Sequence, residues 1–315
     1  MNESINLTPI KDLIEALLDT SKPFSPTYLY VFSDIPPEYL REVKLIWNNI
    51  QAERRYLLLK DLEELMEADT LINCDDLGHF ALGDSDPRIR SQAIRLLWEC
   101  DDPKLGRRFC KVLQTENDEE VQTAAASALG KFVQLGELEE ITKEIHDEVV
   151  ELLLDTVQTH QFEKVRRKAL ESLGYSSHEQ VSGLIQQAII EQDTKWVASA
   201  LFAMGRSADT KWERQIIENI QNQDNEIKIE AIHAAGELEL KAALPPLLQV
   251  LQKNIDEDDI RHTAIWALSK IGGEDVEEAL QDLLESTEDE EEVETLKTAL
   301  ENLAFSNDIQ FFDIL

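Results

Sequence analysis

The chain has 315 residues, and 43% of them are hydrophobic, which is enough for a continuous core in one or two compact domains or in an elongated repeat array. Its 64 acidic residues against 30 basic ones give a formal net charge of -34, which repels phosphate backbones and anionic membranes. We therefore expect no nucleic acid and no membrane among its partners.

The cysteines and the first residues bear on where the protein works. Cys74, Cys100 and Cys110 are odd in number and lack the paired spacing of a disulfide framework or a zinc site, so we expect reduced, buried thiols. The sequence begins MNESINLTPIKDLIEALLDT, without a basic segment followed by an apolar block, and no later run approaches about eighteen apolar residues. We expect a cytoplasmic protein that is neither exported nor inserted in a membrane.

Residues 1–69 are predicted to form an N-terminal helical cap, with a separate small domain as the alternative. Two stretches, IPPEYLREVKLIWNN and QAERRYLLLKDLEELME, have helical character, and Pro36 and Pro37 suit the start of the first. The segment before them, SKPFSPTYLYVFSD, is predicted to be a loop.

Six decapeptides of similar pattern follow: IRSQAIRLLW, VQTAAASALG, VRRKALESLG, WVASALFAMG, IKIEAIHAAG and IRHTAIWALS. Numbered from zero, an apolar residue at position 0 is followed by alanine at position 4 and by Leu, Met or Ala at position 8, which places the three on one stripe of a helix. Three residues before position 0 lie Asp86, Asp118, Asp193 and Asp224, which are predicted to cap the helices, and Pro87 suits a first turn.

Each decapeptide is predicted to be the second helix of a hairpin. The first helices are HDEVVELLLDTVQ, EQVSGLIQQAII, KWERQIIENI, LPPLLQVL and DVEEALQDLL. The decapeptides begin at residues 89, 121, 165, 196, 227 and 260, a spacing typical of solenoids built from helical hairpins. The longest interval predicts an insertion near residues 131–145, with an extra helix at LGELEEITKEI.

The repeats are predicted to form a solenoid of about seven units over residues 70–303. The last stretch, EVETLKTALENL, keeps the rhythm without the small residues, as expected of a terminal capping unit. Residues 304–315, AFSNDIQFFDIL, are predicted to be an apolar-acidic tail that either covers the last repeat or docks on another protein.

One motif carries a family resemblance. Asp-x-x-Val/Ile-Arg followed by Ala and then Ala-Leu-Gly, as in DPRIRSQAIRLL and VRRKALESLG, resembles the short HEAT-like repeats also found in phycobilin lyases. The resemblance implies an all-α fold, a right-handed, armadillo-like α-solenoid of HEAT-like helical hairpins. It does not choose a function, since that family includes scaffolds, adaptors, lyases and a metal-dependent hydroxylase.

Catalytic motifs are scarce. HEAT-like deoxyhypusine hydroxylases hold two irons with several His-Glu pairs, whereas the only such pair here is His178-Glu179, at a predicted helix start. The sequence also lacks His-x-x-x-His, a Gly-x-Ser-x-Gly elbow and a phosphate-binding glycine-rich loop. We predict no catalytic residues, no metal and no cofactor; the alternative is a cofactor-handling enzyme resembling phycobilin lyases.

The side of each second helix opposite the core should face a partner. Positions 2 and 6 lie opposite positions 0, 4 and 8, and position 10 lies one turn beyond position 6. The candidate binding residues at these positions are Tyr175, Ala198, Phe202, Arg206, Ile229, His233, His262 and Trp266. With helices about 8–10 Å apart, Phe202 to Trp266 would form an apolar-aromatic stripe of about 20 Å.

Exposed aromatic stripes tend to mark binding sites, and the alternative is that the rings are buried between helices. We predict a monomeric, non-catalytic scaffold or adaptor. Its partner is a protein with a basic or apolar segment, held in the concave groove of the solenoid.

Overall fold

The computed structural model describes residues 9–252 and 258–312. These residues form helices and connecting turns, with no β-strand among them. The α-helices are α1 (Ile10–Leu18), α2 (Pro37–Ile46), α3 (Ala52–Ala68), α4 (Asp75–Ala81), α5 (Pro87–Leu96), α6 (Pro103–Thr115), α7 (Glu119–Glu137), α8 (Lys143–Thr159), α9 (Glu163–Leu173), α10 (Glu179–Ile189), α11 (Thr194–Arg206), α12 (Glu213–Asn219), α13 (Asn225–Glu237), α14 (Leu244–Gln252), α15 (Asp258–Ile271), α16 (Glu274–Ser286) and α17 (Glu290–Phe312). Short 3₁₀ helices occupy Pro26–Phe32, Trp47–Asn49, Thr210–Trp212 and Lys241–Ala243.

The chain divides into two compact units, Met1–Leu152 and Leu153–Leu315. In the first unit α4 packs on α5 and α6 on α7, and the helices α3, α5 and α7 stack on one another in that order. In the second unit α10, α12, α14 and α16 each pack on the helix that follows, and α9, α11, α13, α15 and α17 form the stack. These helical hairpins confirm the predicted all-α fold, an α-solenoid.

The predicted capping aspartates do cap their helices. The side chains of Asp86, Asp118, Asp193 and Asp224 each accept a hydrogen bond from one or two backbone N–H groups of the following turn. Pro87 occupies the first turn of α5 as predicted. Each cap satisfies amides that a helix start leaves without an intrahelical partner, so the sequence fixes where these helices begin.

The core stripe also lies where the periodicity predicts. In α9, for example, Val165, Ala169 and Leu173 are all fully buried. Trp196 differs, because its ring is half-buried and lies under the guanidinium of Arg166, 5.2 Å from the ring centroid. The indole is too large for full burial at this position and is covered by a cation instead.

Glycine at position 9 sets how closely the stacked helices approach. A Cβ built on Gly205 would lie 2.9 Å from the Cα of Ala234 on the next second helix. Gly174 and Gly236 stand in the same relation to the alanines of their following helices, with distances of 2.8 and 2.9 Å. The repeated glycine is therefore a packing requirement between successive repeats.

The arginine that directly follows position 0 of the repeat contacts neighbouring helices. Arg261 of α15 donates to the carbonyl oxygen of Leu251 in α14 and, at 2.6 and 2.8 Å, to Oε1 of Glu292 in α17. Arg90 of α5 makes the equivalent ion pair with Glu116, just before α7, at 2.7 Å. In α5 and α15 these partly buried pairs tie the second helix to the next repeat.

The expected extra helix at residues 135–145 is wrong. Helix α7 continues to Glu137 and α8 begins at Lys143, so the long interval is taken up by two longer helices joined by a short turn. The reason is that Phe132 and Val133 extend the buried stripe of α7 beyond the decapeptide. Glu139, at a φ of 60°, then reverses the chain.

In two other regions the observed secondary structure goes beyond what the sequence predicts. The segment predicted to be a loop contains the 3₁₀ helix Pro26–Phe32, because Leu29, Val31 and Phe32 are buried there. The predicted tail continues α17 as far as Phe312, while residues 313–315 and the side chains from residue 305 onward lie outside the described residues. The division into cap, solenoid and tail stays a prediction.

Candidate protein-binding surface

The candidate residues lie on the stacked helices α11, α13 and α15 of the second unit, except Tyr175, which lies in the turn after α9. Most are half-buried, with part of each side chain exposed; these are Tyr175, Phe202, Arg206, Ile229, His233, His262 and Trp266. Ala198 is only 5% exposed, so it belongs to the helix packing, and its assignment to the binding surface is corrected. We call the remaining seven side chains, together with Lys168, Glu171 and Glu230, the wall. Whether the wall is concave stays a prediction.

Phe202 is flanked by cations. The guanidinium of Arg206 lies 5.0 Å from the Phe202 ring centroid and 5.3 Å from that of Tyr175. Arg206 Nη1 also donates to the Tyr175 hydroxyl at 2.6 Å, and the ammonium of Lys168 lies 5.9 Å from the Phe202 ring. The expected apolar stripe is therefore an amphipathic surface, in which the rings of Phe202 and Tyr175 are each paired with a cation.

His233 and Trp266 form the second aromatic contact of the wall. Their rings stack with centroids 4.5 Å apart and planes 13° apart. Burial lowers the pKa of His233, and the carboxylate of Glu237, 3.9 Å from Nε2, acts in the opposite direction. Trp266 rests on Gly236, where a Cβ would lie 2.6 Å from Cζ3 of the indole. The glycine thus leaves room for the ring.

Trp266 also lines a cleft between α15 and α17. The cleft has a volume of about 240 Å³. Its other lining residues are Ser269, Glu294, Thr295, Thr298, Ala299 and Asn302. The indole therefore borders a cleft that could admit a small side chain. Three hydroxyl groups and the carboxylate of Glu294 also line this cleft.

Two carboxyl groups of the wall, Glu171 on α9 and Glu230 on α13, were missed by the sequence reasoning. Glu171 is 7% exposed and accepts hydrogen bonds from Ser199 Oγ at 2.7 Å and from Lys168 Nζ at 2.5 Å. Glu230 is half-buried, and burial, followed by the charge of Glu171, raises its pKa to about 7. Lys168, Ser199 and Glu230 all occupy position 3 of the repeat. Position 3 lies next to position 10 on a helical wheel, so it could have been included among the candidate binding positions.

The fold and the wall define a solenoid of helical hairpins with an aromatic and charged face. A family profile described as HEAT repeats matches residues 75–149 and 213–304, just over half of the chain. The chain belongs to the HEAT repeat family.

Relatives were found by sequence and by structure. A 74-residue stretch is 39% identical to the epoxyqueuosine reductase of Bacillus cereus, covering 24% of this chain and 19% of that protein. This chain therefore spans about a fifth of the length of the curated relative that it matches.

Three solved structures illustrate the structural likeness. YibA of Escherichia coli is 18% identical over 91% of this chain and 99% of its own, with a TM-score of 0.44. Human deoxyhypusine hydroxylase is 16% identical over 94% and 96%, with a TM-score of 0.40. Importin beta is 13% identical over 93% and 46%, with a TM-score of 0.46.

The described residues contain neither a membrane-spanning helix nor a metal-binding group of side chains. None of the helices within residues 9–252 and 258–312 combines the length and the apolar character needed to cross a bilayer. In the same residues, no three His, Cys, Asp or Glu side chains are grouped so that they could hold a metal ion.

Proposed function

We propose that this HEAT repeat protein is a non-catalytic scaffold or adaptor that binds a segment of another protein on the wall of its second unit. The observation that carries the proposal is the row of half-buried Tyr, Phe, Arg, His and Trp side chains on the turn after α9 and on the three successive second helices α11, α13 and α15. Aromatic residues and arginine dominate the binding energy of protein interfaces, and partial burial holds them in place before a partner arrives.

The chemistry of the wall favours a basic or apolar segment. Its own cations already have partners, since Lys168 pairs with Glu171 and Arg206 bonds Tyr175. The net charge of -34 would steer a basic partner toward the protein and repel an acidic one. The rings of Phe202 and Trp266 supply the apolar contact.

We propose that the protein acts in the cytoplasm as a monomer. Cys74, Cys100 and Cys110 are buried and unpaired, as suits a reducing compartment. The non-catalytic role has its own test, since it predicts no stoichiometric adduct on incubation with a linear tetrapyrrole. A stable adduct, seen by absorbance after denaturing chromatography, would favour cofactor handling instead.

Site-specific photo-crosslinking in the organism that encodes the protein tests the binding surface. A photoreactive phenylalanine analogue replaces Phe202 or Trp266 in one set of cells and Ile190 in another. Ile190 is 72% exposed at the end of α10, off the wall, and serves as the matched control. The proposal predicts an adduct with one protein from the wall positions and none from position 190. Adducts at position 190 alone, or none at the wall, would contradict it.

A further inference from the structure

Of the two carboxyl groups in the wall, Glu171 has hydrogen-bonding partners among the described residues and Glu230 has none. It lies on α13, half-buried, and the charged groups that act on it are Glu171 and Lys168 of α9, Arg206 of α11 and Glu226 of its own helix. Within the part of the chain that the structure describes, Glu230 makes no side-chain hydrogen bond and no ion pair.

The two cations near Glu230, Lys168 and Arg206, already have other partners. Lys168 Nζ is 2.5 Å from Oε2 of Glu171, whose other oxygen accepts from Ser199. Arg206 donates to the Tyr175 hydroxyl and covers the Phe202 ring. A half-buried carboxylate without a partner is costly, and its pKa of about 7 reflects burial beside Glu171 with too little compensation.

A cation supplied from outside would offset this cost. Among cationic side chains, arginine suits the place best, because its planar guanidinium can bond a carboxylate and stack on an aromatic face at once. Arg206 already demonstrates the stacking on this surface, with its guanidinium 5.0 Å from Phe202 and 5.3 Å from Tyr175. The acidic surface of the chain adds long-range complementarity to a basic partner.

We propose that Glu230 is the recognition point of the wall for an arginine in the bound protein segment. The inference rests on the proposed function and deepens it, because it names the side chain that the partner presents. The carboxylate of Glu230 accepts hydrogen bonds from the guanidinium of that arginine.

Peptide selection on the full chain tests this assignment. Dodecapeptides selected from a random phage-displayed library are synthesised with a fluorophore and titrated against the unaltered chain, Glu230→Gln and Glu191→Gln. The second variant removes the same charge from an exposed site on the turn after α10 and is the matched control. Each peptide is also made with its arginine replaced by citrulline, which keeps the shape of the side chain and removes its charge.

We expect the selected peptides to share an arginine. Glu230→Gln should raise the dissociation constant at least about thirtyfold, as for loss of one partner of a desolvated charge pair, and Glu191→Gln less than about twofold. Citrulline should weaken binding to the unaltered chain by a similar factor and should cost little further in Glu230→Gln, which shows that the two groups interact directly.

The outcomes separate the inference from the proposed function. Peptides that bind Glu230→Gln as tightly as the unaltered chain, or that share lysine or no cation, would overturn the inference. If those peptides still lose binding to Phe202→Ala, the wall remains a binding surface. If no peptide that depends on the wall is selected, both the inference and the proposed function fail.

Discussion

Replacing Gly205 by alanine perturbs the closest approach between two stacked helices. The new Cβ would lie 2.9 Å from the Cα of Ala234 and 3.2 Å from its Cβ, both inside ordinary van der Waals contact. Because the nearest atom is backbone, a helix has to shift, and overpacking of this kind costs about 1–3 kcal/mol. Alanine at the same time gains about 0.8–1 kcal/mol of helix propensity over glycine.

Gly183→Ala separates these two effects. Gly183 lies within α10, and a Cβ there would meet nothing within 4 Å. Gly183→Ala should therefore gain the higher helix propensity of alanine without any steric clash. It should be more stable than the unaltered protein by about 0.8–1 kcal/mol. The free energy of unfolding, from urea titration followed by circular dichroism, should differ between the two variants by about 1–3 kcal/mol. Equal stabilities would refute the idea that glycine at position 9 is required for repeat packing.

Three further predictions concern single side chains. Because the pKa of Glu230 is raised from 4.5 to about 7 in the folded protein, the folded state holds its proton more tightly than the unfolded state. The contribution of Glu230 to stability is therefore fully present below pH 4.5 and is lost as pH rises through 7, by up to about 3 kcal/mol, and Glu230→Gln should remove this contribution to the stability profile between pH 5 and pH 8 in urea titrations. An unchanged pH profile in the variant would count against the pKa shift. Asp193→Ala should lower the free energy of unfolding by about 1 kcal/mol because two capping hydrogen bonds are lost, and Asp193→Asn should restore most of it; an asparagine variant as unstable as the alanine variant would contradict the capping role. Burial raises the pKa of Cys74 and Cys110 to about 12 and that of Cys100 to about 11, so Ellman's reagent at pH 8 should label these thiols only after unfolding. Rapid labelling of the native protein would show that a thiol is accessible and ionised.

Local signals explain why the sequence predicts so much of the fold. A capping aspartate such as Asp224 and a buried apolar stripe such as Val165 to Leu173 act within one helix, so their spacing is visible in the chain. The length of α7 was less predictable, because a long interval between repeats fits either an inserted helix or two extended ones. Only the burial of Phe132 and Val133 distinguishes them.

The wall was predictable in position but not in character. The helical wheel brings Phe202 and Trp266 to the side away from the core, where the structure places them half-exposed. That Arg206 covers Phe202, and that Glu171 engages Lys168 and leaves Glu230 without a partner, depends on distances between side chains that spacing alone does not give.

The central claim is that the wall of the second unit binds a protein segment. Its most direct test is the dissociation constant of the partner captured by crosslinking, measured by titration with Phe202→Ala and with Ile190→Ala as the exposed control. We predict that Phe202→Ala raises the dissociation constant at least about thirtyfold, as for an interface anchor worth about 2 kcal/mol, while Ile190→Ala leaves it unchanged. An unchanged dissociation constant for Phe202→Ala, together with a loss of about 3–5 kcal/mol in the free energy of unfolding, would show that the ring is core and would contradict the claim.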